Sequence, residues 1–157
     1  MRIIAIDPGY DRLGVAVLER VSGIDQLVFS TCILTNKADG LSARIASAGD
    51  ALAAILHTYN PSMLAIETLF FNKNIKTGIG VAQMRGVCLY LAIHHGCTIA
   101  EYSPQQIKVA VTGYGNSDKS AVTMMVKRLV GGVPEAAVDD EYDAIATGLT
   151  CLAHQRF

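Results

Sequence analysis

The sequence has no CxxC pair and no cysteine–histidine cluster at zinc-ligand spacing. Its four cysteines, Cys32, Cys88, Cys97 and Cys151, therefore offer no zinc site and fit a reducing cytoplasm. No uninterrupted apolar stretch approaches the roughly 18 to 20 residues of a membrane span. The apolar run after Arg2 is broken by Asp7 before it could serve as a signal-peptide core, so the chain is expected to be neither exported nor membrane-embedded. Internal repeats and low-complexity linkers are also missing. With 157 residues, 51% of them hydrophobic, one domain over residues 1–157 is expected.

An excess of basic residues is lacking too. The net charge is −1, which on its own argues against a nucleic-acid partner, because phosphate contacts need lysine and arginine. The distribution reverses that reading. Between Thr68 and Val130 stand seven basic residues against two acidic ones, which is +5 for the stretch and −6 for the rest of the chain. An acidic site beside a basic surface is one explanation, and ordinary solvated helix faces are the other.

Arg2 to Ile6, Gly14 to Leu18 and Gln26 to Leu34 read as three opening strands, antiparallel in part, with Ser22-Gly23 as a turn. Leu41, Ile45, Ala48, Leu52, Ile55 and Tyr59 mark one face of an amphipathic helix ended by Asn60-Pro61. Met63 to Ile66 is a buried strand, followed by a loop rich in lysine and asparagine and a helix with Met84, Val87 or Cys88, and Leu91 inside. After a short strand at Thr98 to Ala100, Ser103-Pro104-Gln105-Gln106 starts a helix with a serine cap, proline at the first position and glutamine at the third. Gly113 to Asn116 breaks it, and Ser117 is expected to cap a helix running to about Val130. A last helix covers about Asp139 to Leu152. The sum is an α/β fold, a mixed five-stranded sheet flanked by helices.

The acids at element ends carry the chemistry. Asp7 ends the first strand, Glu67 ends the Met63 strand, and Asp140 and Asp143 open the last helix. Strand ends form crevices open to ligand, and helix residues three apart share a side. Unpaired carboxylates brought together repel, and they are tolerated mainly around a divalent cation; oxygen-only ligands point to magnesium or manganese. The alternative makes Asp7 a turn former before Pro8-Gly9 and Asp140 a helix cap, but it gives no reason for Glu67 after Leu64-Ala65-Ile66. Spacing alone leaves Asp139 and Asp140 as equal partners for Asp143.

Read together, IDPGYDRLG, AIETLFFNKN, QMRGV, SPQQIKVAVTGYGNSDK and DEYDAIA resemble the RuvC family of Holliday-junction resolvases, in order and spacing over almost the whole chain. The resemblance implies a ribonuclease H-like fold, a homodimer, and symmetric nicking of four-way DNA junctions in recombination and repair. It implies Asp7, Glu67, Asp140 and Asp143 as catalytic, metal-binding acids, and so favours Asp140 over Asp139. Some family members carry histidine at the Asp140 position. Lys108 and Lys119 match lysines near bound phosphates, and Phe70 matches an aromatic that contacts junction bases. Lys73 and Lys76, in the loop that follows, are further phosphate-contact candidates. Two Mg2+ ions per site are expected, with Mn2+ as a substitute, serving both ends of an in-line displacement. A partner copy is expected on the helix from Ile79 to His95, and a branch-migration motor is a further candidate partner. Three other classes compete with this reading. An actin-like ATPase needs a second similar domain, a binding module gives no reason for four converging acids, and an RNA-processing nuclease of the same fold is the nearest alternative.

Overall fold

The computed structural model describes residues 1–69 and 75–155, with the backbone alone at residues 75–77. Phe70 and Lys73 lie outside the described residues, and so does the side chain of Lys76.

The sheet is built from β1 (Arg2–Asp7), β2 (Arg12–Val21), β3 (Ile24–Leu34), β4 (Met63–Glu67) and β5 (Thr98–Tyr102). Its spatial order is β3-β2-β1-β4-β5. The three opening strands form an antiparallel meander, while β4 joins β1, and β5 joins β4, in parallel. Parallel joins need crossovers, and helices supply them. Helix α1 (Leu41–Tyr59) connects β3 to β4, and α2 (Ile75–His94) lies between β4 and β5. Helices α3 (Pro104–Thr112), α4 (Lys119–Leu129) and α5 (Asp139–His154) follow.

Alternation along the central strands divides the core in two. Ile4, Ile6, Val15, Val17, Leu64 and Ile66 face α1 and α2, where they meet Leu52, Leu56, Met84 and Cys88. Ile3, Ala5, Ala16, Leu18 and Ala65 face the other way, against α3, α4 and α5. The second face is rich in alanine, which lets α5 lie close. A Cβ on Gly148 would collide with the Leu18 side chain and stand 3.2 Å from the Ala5 Cβ. Every α5 residue from Ala144 to Leu152 is buried.

The caps of α3 and α4 differ in outcome. The α3 capping box forms as read, with Ser103 accepting from the Gln106 amide and Gln106 accepting from that of Ser103. On α4, however, Asp118 rather than Ser117 is the cap, its carboxylate accepting from the Ala121 amide. Ser117 is committed elsewhere: its hydroxyl donates to the Tyr114 carbonyl and meets Thr112 Oγ1 at 2.7 Å, tying the turn between α3 and α4.

Candidate active site

Strand register places the first two acids. Ile6 pairs with Ile66, so Asp7 and Glu67 follow one residue later on neighbouring parallel strands, about 4.8 Å apart, at their carboxyl ends. Asp7, Glu67 and Thr68 line one cavity of about 350 Å³. Among the described residues the Thr68 hydroxyl is the one buried side-chain polar atom without a hydrogen-bond partner.

The third and fourth acids arrive on α5. Asp7 pairs across the sheet with Gly14, and a Cβ on Gly14 would run into the Asp140 carbonyl oxygen and stand 3.2 Å from the Asp140 Cβ. Glycine here lets the first turn of α5 settle over the end of β1. Asp140 is not the helix cap: that position is Val138, whose amide donates to Glu141 Oε1 at 3.3 Å. Glu141, buried on the sheet side, also accepts from the Ser30 hydroxyl at 2.7 Å. Gly14→Ala is therefore expected to push α5 outward, cost about 1 to 3 kcal/mol and reduce nicking of a DNA junction. Urea melts and single-turnover cleavage check this, and wild-type stability would show that the approach is loose.

The turn between β1 and β2 is pinned from outside. Arg44, itself nearly buried, pairs with Asp11, donates to Thr35 Oγ1 at 3.0 Å and lies 5.0 Å over the Tyr10 ring. The Tyr10 ring fills the place where Gly80 has no side chain.

Electrostatics tie the four acids together. Asp7 is pushed up to about 7, first by burial and then by the charges of Asp143, Glu67 and Asp140, with Lys119 pulling the other way. Glu67 is raised by burial and by Asp143, against Lys108. For Asp140, burial pushes upward, but the Arg12 hydrogen bond, a backbone hydrogen bond and the charges of Arg12 and Lys119 outweigh it and hold the carboxyl below its usual range. Lys119 donates to Asp143 at 2.9 Å and reaches Asp139 at 3.5 Å. These contacts raise its pKa despite the opposing effect of burial. Glu67, Lys108, Lys119 and Asp143 line a second cavity of about 250 Å³. The acidic site and part of the basic stretch thus share one cleft. Other basic residues of that stretch are engaged elsewhere: Arg85 pairs with Glu101, and Lys127 lies 5.4 Å over the Tyr142 ring.

The donor set fits a hard divalent cation: carboxylate oxygens alone, one of them opposed by three like charges. Among the described residues no three acids, histidines or cysteines are gathered closely enough to hold an ion as they stand. Two of the acids are instead drawn to cations, Asp143 to Lys119 and Asp140 to Arg12.

The sequence pattern of the family described as "Crossover junction endodeoxyribonuclease RuvC" matches residues 3–151. The chain belongs to the RuvC family. It is 41% identical over 151 residues to the crossover junction endodeoxyribonuclease RuvC of Leifsonia xyli subsp. xyli, covering 95% of this chain and 72% of that one. To the Thermosipho melanesiensis RuvC it is 38% identical over 157 residues, covering 100% of both chains. Its fold superposes on T. thermophilus RuvC, solved in complex with Holliday junction substrate, with TM-score 0.87 and 26% identity over 96% of this chain and 92% of that one. RuvC-family membership makes the chain a metal-dependent nuclease of ribonuclease H-like fold. No helix among the described residues is long and apolar enough to cross a membrane.

Sequence reasoning missed Arg12, Thr68 and Glu141. Arg12 stood inside IDPGYDRLG, but its partner lies 128 positions away and no local pattern connects them. Glu141 looked like one more acid of DEYDA, and only the neighbouring Ser30 reveals that it is buried and structural.

Proposed function

We propose that this chain resolves four-way DNA junctions by hydrolysing one phosphodiester in each of two strands, with Asp7, Glu67, Asp140 and Asp143 holding two divalent cations. The observation that carries the reading is the convergence on Asp7 of three other carboxylates from β4 and α5, beside two lysines that line the same cleft. Magnesium ions, or manganese in their place, would activate water and stabilise the leaving oxygen of an in-line displacement. Asp7, on which all three other acids act, would be the central ligand, and Glu67, Asp140 and Asp143 would complete the set around it. Lys108 and Lys119, which line the cleft beside Glu67 and Asp143, receive the phosphate backbone. Water adds to phosphorus as the bond to the 3′ oxygen breaks, which leaves 5′-phosphate and 3′-hydroxyl ends. Four free cysteines fit this work in a reducing cytoplasm.

A synthetic four-way junction and a structured RNA, each incubated with and without magnesium, test this. Paired nicks in the junction only, abolished by chelator, are expected; equal cutting of the RNA would favour the RNA-processing alternative. Lys108→Gln should weaken junction binding and lower the slope of log affinity against log salt by about 1. An unchanged slope would remove Lys108 from the phosphate path.

Paired nicks need two active sites, and a two-fold dimer provides them. The support is the outer face of α2, where Ile79, Tyr90 and Ile93 are 53%, 59% and 56% exposed. Gly86, between them, meets nothing that a Cβ would strike. Ile93→Lys is expected to sediment as a monomer at micromolar concentration, with its melting temperature little changed and simultaneous nicking lost. A dimer that persists in this variant would place the interface elsewhere.

A further inference from the structure

Arg12 has no part in the chemistry described so far, yet it makes the tighter of the two ion pairs at the site. Its position is enforced from both sides. A Cβ on Gly9 would collide with the Arg12 carbonyl oxygen, and one on Gly14 with that of Asp140, so the backbone between the two glycines is clamped between the β1–β2 turn and α5. From there the guanidinium places two nitrogens on a single oxygen, Nε at 2.7 Å and a terminal nitrogen at 2.6 Å from Asp140 Oδ2. The Arg12 side chain is 46% exposed, so it is no part of the packed core. A cavity of about 520 Å³, lined by Arg12, Lys119, Val138, Asp139 and Asp140, lies alongside and leaves the guanidinium room to swing towards Lys119.

A carboxylate oxygen held by two guanidinium nitrogens is not free to ligate a metal, and an ion pair so open to solvent is weak enough to be exchanged. We propose that Arg12 competes with the metal: it occupies Asp140 in the metal-free protein, yields it to a divalent cation, and then turns into the adjoining cavity to take a DNA phosphate. The inference rests on the reading of Asp140 as a metal ligand. It makes metal and DNA binding mutually supportive: each cation that captures Asp140 releases an arginine suited to a phosphate.

Mn2+ titrations followed by electron paramagnetic resonance, with no DNA present, test the first half. Arg12→Met should bind the more weakly held Mn2+ about 1.5- to fivefold more tightly than wild type, the range expected when a solvent-exposed competing pair is removed. Arg12→Lys, a point charge without the two-nitrogen grip, should fall between them and carries the comparison if Arg12→Met does not fold. Addition of a nuclease-resistant junction tests the second half: it should tighten Mn2+ binding in wild type more than in Arg12→Met. Equal or weaker Mn2+ binding by a folded Arg12→Met without DNA would mean that Arg12 orients Asp140 rather than competing for it, and would overturn the proposal. Asp140→Asn is the control on the underlying reading. If it leaves Mn2+ binding unchanged, Asp140 is no ligand and both readings fail; if it weakens binding while Arg12→Met does not tighten it, only the Arg12 proposal fails.

Discussion

Asp7→Asn should reduce single-turnover nicking of a four-way junction by more than about a hundredfold, because changes merely behind a metal ligand already cost 10- to 100-fold. Junction binding in chelator should survive. The amide keeps the shape of the side chain at the end of β1, so the pairing of Asp7 with Gly14 and the seat of α5 are undisturbed. What changes is charge. The carboxylate at the centre of three others becomes a neutral, weaker donor, and above about pH 7, where metal-free Asp7 ionises, the cleft that must admit a phosphate loses one negative group. Affinity for uncut junction in chelator is therefore expected to stay level or rise. Asp140→Asn should cost less than Asp7→Asn, since Asp140 lies at the edge of the set and already shares its oxygen with Arg12. Gel-shift titrations and quench-flow cleavage on the same preparations measure both quantities. If Asp7→Asn loses binding as far as it loses cleavage while its melting curve is unchanged, Asp7 positions DNA and the central-ligand role is wrong.

The parts of this site that were legible in the sequence are those fixed by local rules. Ile3-Ile4-Ala5-Ile6 had to be a strand buried on both faces, and Asp7 had to emerge at its end. Glu67 followed from the same argument on Leu64-Ala65-Ile66. Spacing on α5 narrowed the remaining acids without separating Asp139 from Asp140; the fold leaves Asp139 76% exposed, 3.5 Å from Lys119, and brings Asp140 against Gly14. Strand lengths were read short for a related reason. β2 runs from Arg12 to Val21 rather than from Gly14 to Leu18, because its charged residues are neutralised by partners that hydropathy does not register. Arg2 pairs with Glu19 at 2.9 Å, and Arg20 with Asp25 at 2.6 Å across the β2–β3 hairpin. The Arg12–Asp140 and Lys119–Asp143 pairs were out of reach altogether, since they exist only once α5 is laid across the sheet.

Burial of Asp7, with like charge crowded around it, also makes stability depend on pH in an unusual direction. In metal-free protein Asp7 keeps its proton up to about pH 7, whereas an unfolded aspartate releases it near 3.8. Between those values the folded state binds more protons than the unfolded one, so stability falls as pH rises, opposite to the effect of a paired carboxylate. The fall has a ceiling of about 4 kcal/mol, lower in practice because Asp7 retains some solvent contact. Glu67, raised by burial and Asp143, adds in the same sense; Asp140, lowered, contributes stability that is lost only as the pH falls into the acid range. Asp7→Asn should therefore melt above wild type in chelator at pH 8, at about 2 to 4 °C per kcal/mol for a chain of this size, and the difference should shrink towards pH 4. Asp143→Asn should gain less, because relief of Asp7 is offset by the loss of the 2.9 Å partner of Lys119. Magnesium at a hundredfold excess over its Kd should restore about 2.7 kcal/mol to wild type and less to either variant. Thermal melts of the three proteins from pH 4 to pH 8, in chelator and in magnesium, give the result directly. Parallel curves for wild type and Asp7→Asn would show that Asp7 is not held protonated by burial and its neighbours, and the account of the site as a buried, crowded set of carboxylates would have to be abandoned.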